Sequence, residues 1–420
     1  MKIAVLLFSG LLLGCHGHPL TIPEQADAGT PPIQDASPSP ADLTPIIEAP
    51  YPAPHPDLPQ VVSQGGPILA APQFVAVTFD EDPLRDQLES FVEAIGGTEY
   101  WKTIASEYGV GAATYAGAVH LKGPAPAMLA DDPSDLSNPD TIAGWLAAQL
   151  DGTHTDWPAP VKDSTLYVVF YPESTVVTLT GSRGDSQSCM GFGAYHSEAL
   201  LPSGDPVPYA VVPRCGRGAK DLATVTSSTS HEMVEAATDP YPGFDPAYSN
   251  VDKDHIAWAI FGGGENADMC TGTDRITPTG FDYVVQRNWS NQAAKAGHNP
   301  CVPAPDEVYF NAGVVIKDKI SITGGRVGGV RIPVGKSKTV EVDLFSDRPT
   351  DGEWNVSIGS FRGSNNLSAS LDRDTGRNGD KLMLTITVNQ PNTGRFGAGL
   401  VTLVSTLGNR RTTWPFFVGQ

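Results

Sequence analysis

Residues 227–240 read SSTSHEMVEAATDP, and within them His231-Glu232-Met233-Val234-Glu235 has the form H-E-x-x-E. On a helix, positions i and i+4 share a face, so His231 and Glu235 are placed to hold one cation together. Glu232, beside them, is placed to take a proton from water that such a cation activates. Met233, Val234, Ala236 and Ala237 are apolar or small. That pattern predicts a packed helix whose His/Glu face lines a cleft. The helix is expected over residues 220–238, with the Ser/Thr-rich run 224–230 as its cap or first turn. Pro240 ends it, because the residue before a proline disfavours the α region.

The segments before this helix alternate between strand and helix signals. Residues 72–79 (PQFVAVTF) and 165–171 (TLYVVFY) are apolar runs of strand length, and residues 209–213 (YAVVP) are a third. Between them, Leu84, Leu88, Phe91, Val92 and Ile95 fall at helical spacing. Trp101, Ile104 and Tyr108 continue a second helix that Gly109 stops, and residues 140–150 (DTIAGWLAAQL) predict a third.

After Pro303-Ala304-Pro305 the texture changes to short alternating runs such as KTVEVDL (338–344) and KLMLTITV (381–388). Asn378-Gly379 is a type I′ hairpin candidate. Residues 306–420 are therefore expected to form an immunoglobulin-like β-sandwich. The acidic stretch 372–380 (DRDTGRNGD) resembles a calcium loop but lacks the terminal glutamate, and reads as a turn.

The start of the chain bears on its destination. Met1-Lys2 precedes an apolar run over residues 3–13, too short to span a bilayer, which ends Leu12-Leu13-Gly14-Cys15. This has the form of a bacterial lipobox, implying a signal peptide over 1–14 and lipidation of Cys15. Acyl chains contribute ~0.8 kcal/mol per buried CH₂, so several on one cysteine anchor stably. His16 is not the aspartate that retains many lipoproteins at the inner membrane. The expected place is thus outside the cytoplasm, with the outer membrane or cell surface favoured. Residues 15–60 are rich in Pro, Ala, Asp and Thr and predict a disordered, semi-rigid tether.

Four further cysteines, Cys189, Cys215, Cys270 and Cys301, suit two disulfides in an exported protein. Of three pairings, the sequence-local Cys189–Cys215 and Cys270–Cys301 are favoured. Charge is uneven. Residues 307–420 carry 14 Lys+Arg and 10 Asp+Glu, leaving 13 basic and 37 acidic residues elsewhere. Such an acidic body argues against nucleic-acid binding.

A catalytic metal site needs three protein ligands and one open position. The H-E-x-x-E helix supplies two. Asp239 lies at i+8 but sits where Pro240 breaks the helix, which makes it a lesser candidate. The stretch 262–270 (GGGENADMC) offers Glu265 and Asp268. In zinc peptidases with a glutamate third ligand, that residue comes from a downstream helix and a nearby aspartate orients a metal-binding histidine. By that resemblance Glu265 is the third ligand and Asp268 the partner of His231, though the roles could be swapped. The triple glycine lacks the Lys-Ser/Thr of a phosphate loop. One histidine and two carboxylates would acidify bound water less than three histidines would. They suit zinc, and would also admit manganese or calcium.

Ser230-His-Glu-Met-Val-Glu-Ala-Ala-Thr-Asp-Pro240 resembles a segment of the plant phosphate-induced/EXORDIUM family and its bacterial relatives. Further matches follow the family's order. They are residues 166–172 (LYVVFYP), 189–196 (CMGFGAYH), 209–215 (YAVVPRC), 265–270 (ENADMC), 285–291 (VQRNWSN) and Cys301. The resemblance spans roughly residues 60–305. It implies a zincin-like mixed α/β domain over 61–305, hence an α+β chain overall, but brings no established enzymatic activity. The chain departs from the pattern with a longer insert between Pro240 and Glu265. That insert contains Asp245, Asp252, Asp254, His255 and Trp258, and is expected to form a lid or supply a ligand. His196, the other histidine of interest besides His255, is expected to hydrogen-bond in the core. Two functions remain open. One is a lipid-anchored metal-dependent hydrolase, peptidase-like, with Glu232 as base. The other is a non-catalytic surface lipoprotein that binds a protein or a wall polymer. The oligomeric state is not legible.

Overall fold

The computed structural model of the chain describes residues 49–180, 184–215, 221–362, 367–391 and 396–420. The expected signal peptide, Cys15 and the tether as far as residue 48 lie outside the described residues. No helix among the described residues is long and apolar enough to cross a membrane.

Strands that are apolar along their whole length must be covered on both faces. Gln73–Phe79, Thr165–Tyr171 and Pro206–Pro213 obey this rule and lie side by side, parallel. Thr114–Leu121 adds a fourth parallel strand at one edge. Tyr195–Leu200 closes the other edge and runs antiparallel, because only residues 201–205 join it to Pro206–Pro213. Alternate side chains feed two cores. Phe74, Leu166, Val168 and Ala210 meet helices α1 (Arg85–Ile95), α2 (Glu99–Ala105) and α4 (Asp221–Thr238). Val75, Val77, Tyr167 and Val211 meet α3 (Ile142–Gln149) on the opposite face. The expected helices are thus present. α2 runs through a 3₁₀ turn to Gly109, whose φ of 85° ends it as anticipated.

One local expectation fails. The run 224–230 is neither cap nor first turn, because α4 already begins at Asp221. Three of its hydroxyls, those of Thr226, Thr229 and Ser230, meet carbonyls within and beside the helix. Thr229 Oγ1 donates to the Val225 carbonyl at 2.7 Å and Ser230 Oγ to that of Ser227 at 2.8 Å. Thr226 Oγ1 donates to the Val284 carbonyl at 2.8 Å. Satisfied hydroxyls can be buried, so a polar-looking segment runs through the core.

Residues beyond 305 form two facing sheets and a separate two-stranded hairpin, Lys319–Ile322 with Gly325–Gly328. The first orders Phe310–Val314, Lys336–Ser346, Lys381–Val388 and Leu367–Leu371; the second orders Val330–Arg331, Arg410–Gly419, Gly399–Leu407, Trp354–Arg362 and Thr375–Gly376. Leu382, Leu384 and Ile386 alternate inward against Trp354, Leu403 and Phe416, as period-two strands require. The expected hairpin at Asn378-Gly379 is absent. Gly379 has φ 89°, but Asn378 is not left-handed, so the turn is not type I′. Asn378 has another task. Its Oδ1 accepts from Ala53 N and Ser346 N, and its Nδ2 donates to the Pro50 carbonyl.

Residues 49–60, read as the end of the tether, are therefore part of the folded body. Ala53 and Leu58 are buried, and His55 stacks on Phe345 with ring centroids 3.9 Å apart. The core also does not divide at residue 305. Leu58, Tyr108 and Trp289 share one cluster with Leu344, Trp354 and Trp414.

Candidate metal centre

Three pieces of chain converge on a cleft of about 600 Å³. The first is α4. Met233, Val234, Ala236 and Ala237 are fully buried against the sheet, so His231, Glu232 and Glu235 turn the other way. The second is the antiparallel edge strand, which contributes Tyr195, His196 and Ser197. The third is the loop carrying Glu265 and Asp268, which leaves helix α5 (Ile256–Gly262) through Gly263. Gly263 adopts φ 121°, and a Cβ there would collide with the Asp268 carboxyl. Only glycine lets the chain fold back closely enough to set Asp268 beside α4. The far wall is Pro242, Gly243, Pro246, Ser249 and Asn250, the first part of the insert.

His231 Nε2 lies 3.0 Å from Glu235 Oε2 and 3.6 Å from Asp268 Oδ1. One ligand atom from each of His231, Glu235 and Asp268 can be chosen so that all lie within 4.8 Å of one another. Asp268 N donates to Glu235 Oε1 at 2.9 Å and fixes the loop to the helix. His196 Nδ1 faces Glu232 Oε2 at 3.4 Å and Glu235 Oε2 at 3.8 Å. Its Nε2 is 3.8 Å from Glu265 Oε1.

The electrostatics follow from burying many carboxyls around two imidazoles. No lysine or arginine is among the described residues that line the cleft. Burial alone would push both histidines down, but the carboxylates prevail. Glu235 and Glu232 hold His231 well above the usual imidazole range. The Glu232 hydrogen bond and the Glu235 charge raise His196 to about 9. Burial would raise Glu235, yet the two histidines bring it below the ordinary carboxylate value. Glu265 and Asp268 are pushed well up, first by burial and then by the Glu235 charge. Asp239 is raised by burial as well. Such a site retains protons unless a cation replaces them. The donor set, imidazole nitrogen with carboxylate oxygens, fits a divalent metal such as zinc.

The structure sorts the candidate residues. His231, Glu232, Glu235, Glu265 and Asp268 all reach the cleft. Asp268, rather than Glu265, completes the trio with His231 and Glu235. Glu265 faces His196 instead, at 3.8 Å. Asp239 is fully buried and accepts from Ala247 N at 2.6 Å, which anchors the far wall. His196 is buried and hydrogen-bonded as expected, its Nδ1 meeting Glu232 Oε2 at 3.4 Å, but it does so on the wall of the cleft. Of the insert, Asp245, Asp252, Asp254, His255 and Trp258 are not among the lining residues. His255 pairs with Asp252 at 2.9 Å. Asp254 pairs with Lys319, and Trp258 packs between Trp289 and Trp414. That half of the insert packs against residues beyond 305. Both sequence-local disulfides are present, Cys189–Cys215 and Cys270–Cys301.

No protein-family model matches the chain, and no curated protein does. Among solved structures, the titin M3 domain aligns with 22% of this chain and 85% of its own length. The identity is 12% and the TM-score 0.16, a likeness too slight to carry an argument.

Proposed function

We propose that this chain is an exported, lipid-anchored metal-dependent hydrolase of peptidase-like chemistry. The observation that carries the reading is the convergence of His231, Glu235 and Asp268 beside Glu232 in a cleft with no lysine or arginine among its described lining residues. The resemblance of residues 60–305 to the EXORDIUM family, with its zincin-like helix, supports the same reading. So does the antiparallel strand that flanks α4 across the cleft. Two disulfides accord with a place outside the cytoplasm. The paired sheets after residue 305 accord with an immunoglobulin-like sandwich that binds a protein or wall polymer, or supports the catalytic body.

His231, Glu235 and Asp268 would hold the cation, zinc being the first choice. When bound, it supplies Lewis acidity, polarising a carbonyl and acidifying water. Glu232, whose side chain is 6% exposed at the cleft wall, accepts the proton from the attacking water. The same carboxyl then gives that proton to the leaving nitrogen as the C–N bond breaks. The Asp268 amide bond to Glu235 keeps one carboxylate oxygen occupied and orients the other toward His231.

Metal analysis of the purified full chain tests this. At least one tightly held divalent ion per chain is expected, lost in Glu235→Ala. Glu232→Gln should keep the metal while hydrolysis of a mixed peptide pool falls by about 10²-fold or more. A folded protein without metal overturns the site. A metal-loaded protein whose Glu232→Gln variant matches it against every peptide leaves the non-catalytic surface lipoprotein as the better reading.

A further inference from the structure

The cleft holds more ligand capacity than one cation uses. Glu232, Glu235, Glu265 and Asp268 line it, and the histidines among its described lining residues are His196 and His231. A single divalent ion at His231, Glu235 and Asp268 leaves the His196 side without a cation of its own. There, ligand atoms of His196, Glu232 and Glu235 can also be chosen within 4.8 Å of one another. The His196 side chain is 5% exposed and lines the cleft; its Nδ1 faces the trio, 3.4 Å from Glu232 Oε2 and 3.8 Å from Glu235 Oε2, while its Nε2, 3.8 Å from Glu265 Oε1, has no hydrogen-bond partner. A buried imidazole with an unsatisfied nitrogen is costly, and metal ligation is a common reason for keeping one. Glu235 belongs to both trios, and its Oε2 faces both histidines, 3.0 Å from His231 Nε2 and 3.8 Å from His196 Nδ1.

We propose that His196, Glu232 and Glu235 form a second divalent-cation site, bridged to the first through Glu235. This rests on the first site being real. The second site has a chemical consequence. A Glu232 carboxylate engaged in ligation cannot accept a proton from water, so filling the second site switches off the base. Excess cation is then a brake on the hydrolysis proposed above. The occupant is a small ion tolerant of mixed nitrogen and oxygen donors, such as zinc or manganese.

The full chain is loaded with Mn²⁺ and read by elemental analysis and by electron paramagnetic resonance. Two ions per chain are expected at high Mn²⁺, with the exchange-coupled spectrum of a close pair. His196→Ala should reduce the count to one and restore the spectrum of an isolated ion. His196→Asn serves the same end if the alanine variant folds poorly, folding being checked by circular dichroism. One ion in both wild type and variant overturns the second site and leaves the first. Two ions in both proteins also overturns it, since the second then lies elsewhere. No bound ion overturns both sites.

Discussion

Glu198 shows how the edge strand governs the cleft. Residues i and i+2 of a strand share a face, so Glu198 follows His196 toward the insert. Its carboxyl is fully buried and accepts from the Gly243 amide at 3.5 Å, with Oε1 left without a hydrogen-bond partner. Burial pushes its pKa up to about 7 from 4.5. The folded state therefore holds this proton more tightly than the unfolded chain. The resulting stability is complete below pH 4.5 and is lost as pH rises through about 7. Glu198→Gln should consequently be more stable than wild type at pH 8, by at most about 3 kcal/mol, and indistinguishable near pH 4. Urea unfolding at the two pH values checks this, and a gap that does not change with pH refutes it. The same strand shows the limit of sequence reading. His231, Glu232 and Glu235 were legible because helical periodicity alone sets their face. His196 was not, since it reaches Glu232 only through the pairing of Tyr195 with Val211 and the packing of α4 on the sheet. Its signal was the His-x-Glu alternation at 196–198, which puts two ionisable groups on one face of a strand.

The loop of residues 263–270 is held from three directions. Asp268 N binds Glu235, Gln286 Nε2 donates to the Ala267 carbonyl at 2.9 Å, and Cys270 is bonded to Cys301. The disulfide closes across a sequence separation of 31 residues and ties the loop to the strand Cys301–Val302, which pairs with Asn288–Trp289. A double Cys270→Ala/Cys301→Ala variant should lose about 3 kcal/mol of stability. It should also bind zinc about tenfold more weakly, because Asp268 is no longer held over α4. Calorimetric unfolding and a competitive zinc titration read the two effects separately. A stability loss with unchanged zinc affinity would show that the loop keeps its position without the bridge. The pairing itself was legible from the spacing of the four cysteines. The purpose of the glycine run was not, because nothing in GGGENAD reveals that Asp268 returns beneath Gly263. The Ser/Thr run of α4 misled for a related reason. Hydroxyls that favour caps when exposed become tolerable inside a helix once each has a carbonyl to meet.

The boundary near residue 305 was legible as a change of texture, from strand–helix alternation to short period-two runs. How the halves join was not, because α5 looks like any short apolar helix. Trp258 lies 5.9 Å from Trp289 of the α/β body and 5.4 Å from Trp414 of the sandwich, edge-on to both. Ala257 packs with Ile320, Val327 and Phe417 of the sandwich side. Gly328 approaches the Asp254 backbone so closely that a Cβ would collide with it. Residues 49–60 add a strap from the other side, fastened by Asn378 and His55. α5 also leads directly into Gly263 and the loop of residues 263–270, so docking and cleft geometry share one element. Trp258→Ala removes the aromatic bridge at its centre and should cost about 3 kcal/mol. Trp258→Ala and Trp414→Ala should couple in a double-mutant cycle by about 1 kcal/mol, the size expected of an edge-on aromatic pair. Wild type should unfold in one cooperative transition on heating, because a single core spans both halves. Trp258→Ala should separate it into two, with the α/β body melting first and releasing bound zinc at that step. Scanning calorimetry with a zinc-sensitive dye follows both events. A single transition in the variant, with zinc retained to its end, would show that the strap and the remaining contacts suffice to hold the halves together.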